Sequence, residues 1–349
     1  MRKEDFSKFG IRLSVRPYTL QFKQPAGTSR GVYTEHRVWF ITMTDKRTLF
    51  HGTGEVAPLP DLSQELIRHS EAEFEQIIQK FCDEFDGEIP YDKLRPYPSI
   101  LFGLETALRN YEYGLEMWDT PFFWGTEGIT INGLVWMGTY EEMKARLEEK
   151  LNAGFHTIKI KIGAIDFEKE FELLSLIRKE YPADKITLRV DANGGFTPEN
   201  APAILQRLST LDIHSIEQPI KAGQADKMAE LCRTTPIPIA LDEELIGVNT
   251  VEEKKKLLET IHPQYIILKP SLHGGISGCE EWIQIAQSLG IGYWITSALE
   301  SNIGLMAIAQ WAASLNITIP QGLGTGGLYT NNIERPLQVR GEKLWLRGF

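Results

Sequence analysis

The sequence predicts an α/β protein, a TIM-type (β/α) barrel that follows an N-terminal α+β capping domain. Three observations predict it. Six apolar segments each end in a polar functional group, those groups recur at nearly even intervals, and the first 125 residues lack that rhythm. From Asp191 to Glu217 is 26 residues, from Glu217 to Asp242 is 25, and from Asp242 to Lys269 is 27. That period suits one strand plus one crossover helix, which gathers the side chains at one mouth of a parallel barrel. An open doubly wound sheet is the alternative topology.

The capping domain spans residues 1–125. Ile11–Leu20 and Val38–Met43 have the texture of antiparallel strands, with a turn-rich and mobile Pro25–Gly31 between them. Gly52–Pro60 is extended and punctuated by proline. Helices are expected over Ser63–Phe85 and Ser99–Glu116, the second with Ser99 as N-cap and an apolar face that includes Leu104, Leu108 and Tyr111.

The barrel spans residues 126–334 and opens with a strand over Ile129–Trp136. Thr139-Tyr-Glu-Glu142 is a capping box that starts a helix running to about Asn152, with Gly154 just beyond its end. Strands follow at 157–163, 187–193, 215–219, 239–243, 266–270 and 293–297, and Ile317–Pro320 makes the eighth. Crossover helices are expected over Phe167–Glu180, Pro198–Leu208, Ala222–Arg233, Thr250–Thr260, Ser277–Leu289 and Asn302–Ser314. The tail, 335–349, is expected to return and pack on the capping domain.

A net charge of -10 and a pI near 5.4 argue against nucleic acid or an anionic membrane surface as partner. No run approaches the ~20 apolar residues that span a bilayer, and Met1–Gly10 lacks the apolar core of a secretion signal. Cys82, Cys232 and Cys279 have no paired spacing, and the seven histidines form no metal-binding pattern. These features fit a cytoplasmic protein with reduced thiols, acting on a small molecule.

Asp191, Glu217 and Asp242 end three successive strands, so they can point inward as ligands of one divalent cation. An all-carboxylate set favours magnesium, or manganese, over zinc. Any one of them alone would be an ordinary surface acid. Lys159 and Lys161 lie two residues apart in a strand and therefore share a face, with Ile158, Ile160 and Ile162 on the other. The opposite register would turn the lysines to solvent, and the isoleucines make it the poorer choice. Lys269 approaches from the far wall, four strands on. A nearby cation and a second ammonium lower a lysine pKa while carboxylates raise it, and sequence leaves that balance open.

This pattern resembles the enolase superfamily, in its muconate lactonizing enzyme-like subgroup. Within that subgroup, Gly54-Glu-Val-Ala-Pro-Leu-Pro60, Arg189–Asn193, Ser297–Gly304 and Gly322–Thr325 are most similar to the o-succinylbenzoate synthase family. The resemblance implies magnesium-assisted syn dehydration of 2-succinyl-6-hydroxy-2,4-cyclohexadiene-1-carboxylate, in menaquinone synthesis. It makes Lys161 the base, Lys159 an electrostatic helper, and Lys269 the stabiliser of the enediolate. On the substrate side it implies Ser297, Gly322, Gly324 and Thr325. Arg30 either pairs with the succinyl carboxylate or is a solvated turn arginine. Asn193 supports the metal end, Arg189 shares the face of Asp191, and Trp124 and Trp136 are expected in the core. Rival readings are an N-succinylamino acid racemase or dipeptide epimerase, and a magnesium-binding protein without turnover. The epimerases' acidic Asp-x-Asp motif is missing from Gly324–Asn331.

Overall fold

Strand β1 (Ile11–Thr28) pairs antiparallel with β2 (Gly31–Asp45), and β2 pairs with β3 (His51–Val56). These come from a computed structural model that describes residues 10–28, 31–46, 48, 50–136, 138–163 and 166–346. The first hairpin is longer than its sequence suggests. Its ladder slips between Gln21 and Ala26 and then resumes to Thr28 and Gly31, so most of the expected loop is strand.

Helices 64–68, 71–83, 91–94 and 98–113 cover this sheet. The single helix expected over 63–85 is broken at Ser70, which forms its own capping box with Glu73. Gly54 lets β3 approach helix 98–113: a Cβ there would lie 1.9 Å from the Gly103 carbonyl oxygen. Ser99 is not an N-cap, because the helix begins at Pro98. Instead the Ser99 N–H and Oγ both donate to Glu65, each at 2.8 Å.

That contact belongs to a pattern. Glu65, Glu55 and Glu105 are remote glutamates that satisfy the free N–H groups opening three helices. Glu55 accepts from Ser301 N at 2.7 Å and Gly304 N at 2.8 Å, at the start of helix 302–314. Glu105 accepts from Ile276 N and Ser277 N at 2.6 and 3.1 Å, at the start of helix 275–288. The last two tie the capping domain to the barrel.

The chain then forms the short β4 (Ile129–Thr130) and seven parallel strands in sequence order: β5 (Gly133–Val135), β6 (Thr157–Lys161), β7 (Thr187–Asp191), β8 (Ile213–Glu217), β9 (Ile239–Leu241), β10 (Tyr265–Leu268) and β11 (Gly292–Ile295). Helices 140–152, 167–180, 201–208, 225–234, 251–261, 275–288 and 302–314 intervene and bury a continuous apolar layer against the sheet. This is the α/β barrel the spacing predicts.

Closure differs from expectation. The eighth pairing falls on Gln321 and Gly322, which bridge to Ile131 and Thr296, rather than on 317–320. Pro320 has no N–H to give a ladder, so pairing starts after it. The tail also departs from expectation. β12 (Leu337–Arg340) and β13 (Lys343–Leu346) form a hairpin, and β13 pairs with β4. Leu344 and Leu346 are buried in the barrel's core cluster, so alternating leucines hold the tail on the barrel and not on the capping domain. Among the described residues no helix is long and apolar enough to cross a membrane, and all three cysteines are free and buried.

Two outcomes follow. Burial pushes the Glu65 carboxyl up to about 8, against the Ser99 contacts. A raised folded-state carboxyl holds its proton more tightly than the unfolded chain does, so its stabilising share is complete below about 4.5 and falls as pH rises through 8. Denaturant titrations at pH 5 and pH 8 should show the wild type losing on the order of 2 kcal/mol more than Glu65→Gln; parallel losses contradict the assignment. At the barrel seam, a Cβ on Gly322 would meet Thr296 Oγ1 at 1.9 Å. Gly322→Ala should lower stability by about 1–3 kcal/mol, and adding Thr296→Ala should recover part of it in thermal unfolding.

Candidate active site

The strand pleat decides which side chains meet. Lys159 and Lys161 project from β6 into the barrel, while Ile158, Ile160 and Ile162 are buried on the helix side. Lys159 Nζ donates to Asp191 Oδ2 at 3.1 Å and Glu217 Oε2 at 2.8 Å. Lys161 Nζ donates to the same Asp191 Oδ2 at 3.0 Å and to Asn193 Oδ1 at 2.7 Å. Lys269, just beyond β10, pairs with Asp242, just beyond β9. The six residues form two hydrogen-bonded sets, Lys159, Lys161, Asp191 and Glu217 in one and Lys269 and Asp242 in the other, whose charges act on one another across the barrel mouth.

Burial and charge act against each other throughout. Burial alone would lower the Lys159 pKa, but Glu217 and Asp191 more than reverse this and hold it well above the ordinary lysine value. Lys269 is likewise raised, with Asp242 and then Glu217 outweighing burial. Burial raises Asp191, yet Lys161 and Lys159 bring it far below the usual carboxylate range. Glu217 goes the other way: burial and the neighbouring Asp191 push it up to about 8, despite Lys159. Positive charge is in short supply around Glu217.

The same shortage appears in the hydrogen bonds. Glu217 Oε1 and Asp242 Oδ1 are buried and have no hydrogen-bond partner. Buried carboxylate oxygens without donors are costly, and an all-oxygen set of this kind fits a hard divalent cation. At the side-chain positions seen here the Lys159 ammonium bridges Asp191 and Glu217. Among the described residues no three His, Cys, Asp or Glu side chains stand close enough to enclose an ion without rearrangement.

Beside these residues lies a cavity of about 650 Å³, lined by barrel residues and, from the capping domain, by Lys23, Gln24, Tyr33, Leu59 and Leu62 among others. Ser297, Gly322, Gly324, Thr325 and Asn193 all line it. Ser297 is nonetheless engaged internally, donating to Glu300 Oε2 at 2.6 Å and accepting from Leu299 N at 3.0 Å. Arg30 lies outside the described residues.

Arg189 does not line the cavity. It shares the inward face with Asp191 but sits two residues earlier, one layer deeper, where it donates to the Pro320 carbonyl at 2.9 Å and lies 4.4 Å from the Trp294 ring centroid. It packs inside the barrel against Pro320 and Trp294.

Sequence reasoning also missed two residues. Trp136, expected in the core, packs partly buried on the cluster of Leu59, Leu272, Ala298 and Leu299 and also lines the cavity, its ring centroid 5.7 Å from Lys161 Nζ; it follows the first barrel strand directly, so the strand-end rule would have flagged its second role. Trp124 is 57% exposed and is not core. Glu243 lines the cavity beside Asp242 and accepts from Asn193 Nδ2 at 3.0 Å. Its only sequence signal is its place next to a strand-end acid.

Comparison with known proteins places this architecture. Residues 142–346 match the family model described as enolase C-terminal domain-like, and residues 17–111 match the MenC N-terminal domain. The chain is 44% identical to an o-succinylbenzoate synthase from Desulfotalea psychrophila, over 95% of this chain and 98% of that one. The crystal structure of MenC from the same organism superposes with a TM-score of 0.83 at 39% identity, covering 96% of this chain and 99% of the other. An L-Ala-D/L-Glu epimerase from Bacillus subtilis superposes with a TM-score of 0.82 at 21% identity, covering 97% and 96%, a likeness of fold alone. Enzymes of this superfamily use a divalent metal, typically Mg2+. From its barrel match, its capping-domain match and its near full-length relative, this chain belongs to the enolase superfamily, in the family of o-succinylbenzoate synthases.

Proposed function

We propose that the protein is an o-succinylbenzoate synthase, a hydro-lyase that dehydrates 2-succinyl-6-hydroxy-2,4-cyclohexadiene-1-carboxylate. One observation carries the reading: Lys161, paired with Asp191, and Lys269, paired with Asp242, line one cavity, in a chain 44% identical to such an enzyme. Asp191, Glu217 and Asp242 would hold Mg2+, with Mn2+ as the alternative ion. When bound, the ion supplies positive charge to the substrate carboxylate as negative charge develops there.

The lysines divide the remaining work. Lys161, as neutral amine, takes the proton from the carbon bearing the carboxylate. The same Nζ then returns that proton to the departing hydroxyl as the C–O bond breaks, so water leaves and the lysine ends as it began. One group serves both steps because proton and hydroxyl leave from one face. Lys159 and Lys269 are both held in the ammonium form by their carboxylate neighbours, which suits them to stabilise charge rather than to accept protons. Among the three, Lys161 has the weakest anionic hold: it shares one carboxylate oxygen with Lys159 and otherwise leans on a neutral amide.

Lysines on opposite faces also suit racemisation, so the decisive assay is comparative. Purified protein with Mg2+ should bleach the diene absorbance of the cyclohexadiene substrate, and should do so faster than it racemises N-succinylamino acids; the reverse order removes the assignment. Lys161→Ala should lower dehydration by at least about 10³-fold. Near-normal turnover in that variant would exclude Lys161 as the base. Chelation of divalent ions should abolish turnover and Mg2+ should restore it; activity that survives exhaustive chelation would exclude the metal assignment.

A further inference from the structure

Asn193 follows Asp191 by two residues and adopts a φ of +44°, a backbone conformation that asparagine tolerates better than most residues. Its amide sits between two charged groups of opposite character. Oδ1 accepts from Lys161 Nζ at 2.7 Å, and Nδ2 donates to Glu243 Oε1 at 3.0 Å. An ammonium has only donors and a carboxylate only acceptors, so a flipped amide would set NH2 against NH3+ and C=O against a carboxylate. The amide therefore has one allowed orientation, and Glu243 enforces it.

Glu243 is itself fixed. It is 6% exposed and opens the short turn Glu243–Leu245. Gln218 Oε1 accepts from both Asp242 N and Glu244 N at 3.2 Å, which clamps the backbone on either side of Glu243.

We propose that Glu243 is a positioning residue for Lys161, acting through the Asn193 amide. With Glu243 in place, Asn193 Oδ1 supplies the second of two hydrogen bonds that orient Nζ, the first being Asp191 Oδ2 at 3.0 Å. Without Glu243 the amide rotates, and Lys161 keeps only its shared carboxylate and the Trp136 ring. A displacement of about 1 Å at a reacting atom can cost on the order of 10²-fold in rate. The loss should fall on kcat, because Glu243 acts on the attacking nitrogen and not on substrate affinity. This inference builds on Lys161 as the base of the proposed dehydration.

Two readouts test it, one of them without substrate. The first is kcat and KM, with Mg2+ titrated, for Glu243→Ala, Asn193→Asp and the pair Glu243→Gln with Asn193→Asp. Glu243→Ala should lower kcat about 10- to 100-fold with KM within about threefold. Asn193→Asp should fall further, since it sets one carboxylate against another. The pair should recover at least tenfold over Asn193→Asp, because the glutamine amide then donates to the new carboxylate, which still accepts from Lys161. The second readout is the Nζ–H resonance of Lys161, assigned by its loss in Lys161→Ala. It should be sharp in wild type and in the pair, and shifted or broadened in Glu243→Ala. An unchanged resonance in Glu243→Ala overturns the proposal whatever substrate the enzyme takes. So does a kinetic loss confined to KM or to the Mg2+ requirement, or a pair no better than Asn193→Asp. A wild type inactive on the cyclohexadiene, with the resonance behaving as stated, removes the proposed reaction and leaves this positioning role intact.

Discussion

Packing like charges into one low-dielectric cup is the constraint on which the rest of the structure depends. Asp191, Glu217, Asp242 and Glu243 are all at most 6% exposed, and three lysines answer them. In such surroundings an unpaired ion costs several kcal/mol, so each group must be aimed at a partner before the cup can exist at all. A parallel barrel meets that demand cheaply, because every strand ends at the same rim with its side chain pointing at the others. The deficit left over, concentrated on Glu217 and on the unpartnered oxygens of Glu217 and Asp242, fits the divalent cation proposed for this floor.

The rim was legible in the sequence for the same reason. A strand's alternation of faces and a fixed strand-plus-helix period are local properties, and together they place Lys159, Lys161, Asp191, Glu217, Asp242 and Lys269. What alternation cannot supply is depth. Arg189 and Asp191 have identical facing, yet one lies under the floor against Trp294 and the other in it. Long-range pairing was also hidden. The β13–β4 contact joins residues more than 200 positions apart, and the seam at Gln321 and Gly322 is two isolated bridges rather than a strand with its own pattern. Ser99 misled because a serine before an apolar face ordinarily caps its own helix; here a glutamate from 34 residues away does that work.

That substitution bears on how the two domains share the site. The helices at 275–288 and 302–314 open with N–H groups answered by Glu105 and Glu55, so the capping domain closes hydrogen-bond ladders that begin in the barrel. A displaced capping domain would leave both sets unsatisfied, together with the buried Glu55 carboxylate. The contact matters functionally because Lys23, Gln24, Tyr33, Leu59 and Leu62 of the capping domain line the same cavity as the charged barrel residues. A cavity with both apolar and charged lining suits the proposed ligand, a hydrocarbon ring with a carboxylate on one edge.

The floor is also asymmetric in a way that separates roles among chemically identical lysines. Lys159 lies between two carboxylates and Lys269 has Asp242 to itself, whereas Lys161 divides one oxygen with its neighbour. The role proposed for Lys161, giving up and regaining a proton in one turnover, requires a group that is aimed without being pinned by a dedicated anion. A neutral amide resolves that conflict: Asn193 gives direction without a counter-charge. An amide, however, can flip, and a flipped one would repel the ammonium it should hold. A buried carboxylate behind the amide disfavours the wrong orientation, so on the role proposed for Lys161 the acid next to Asp242 would aim the base through Asn193.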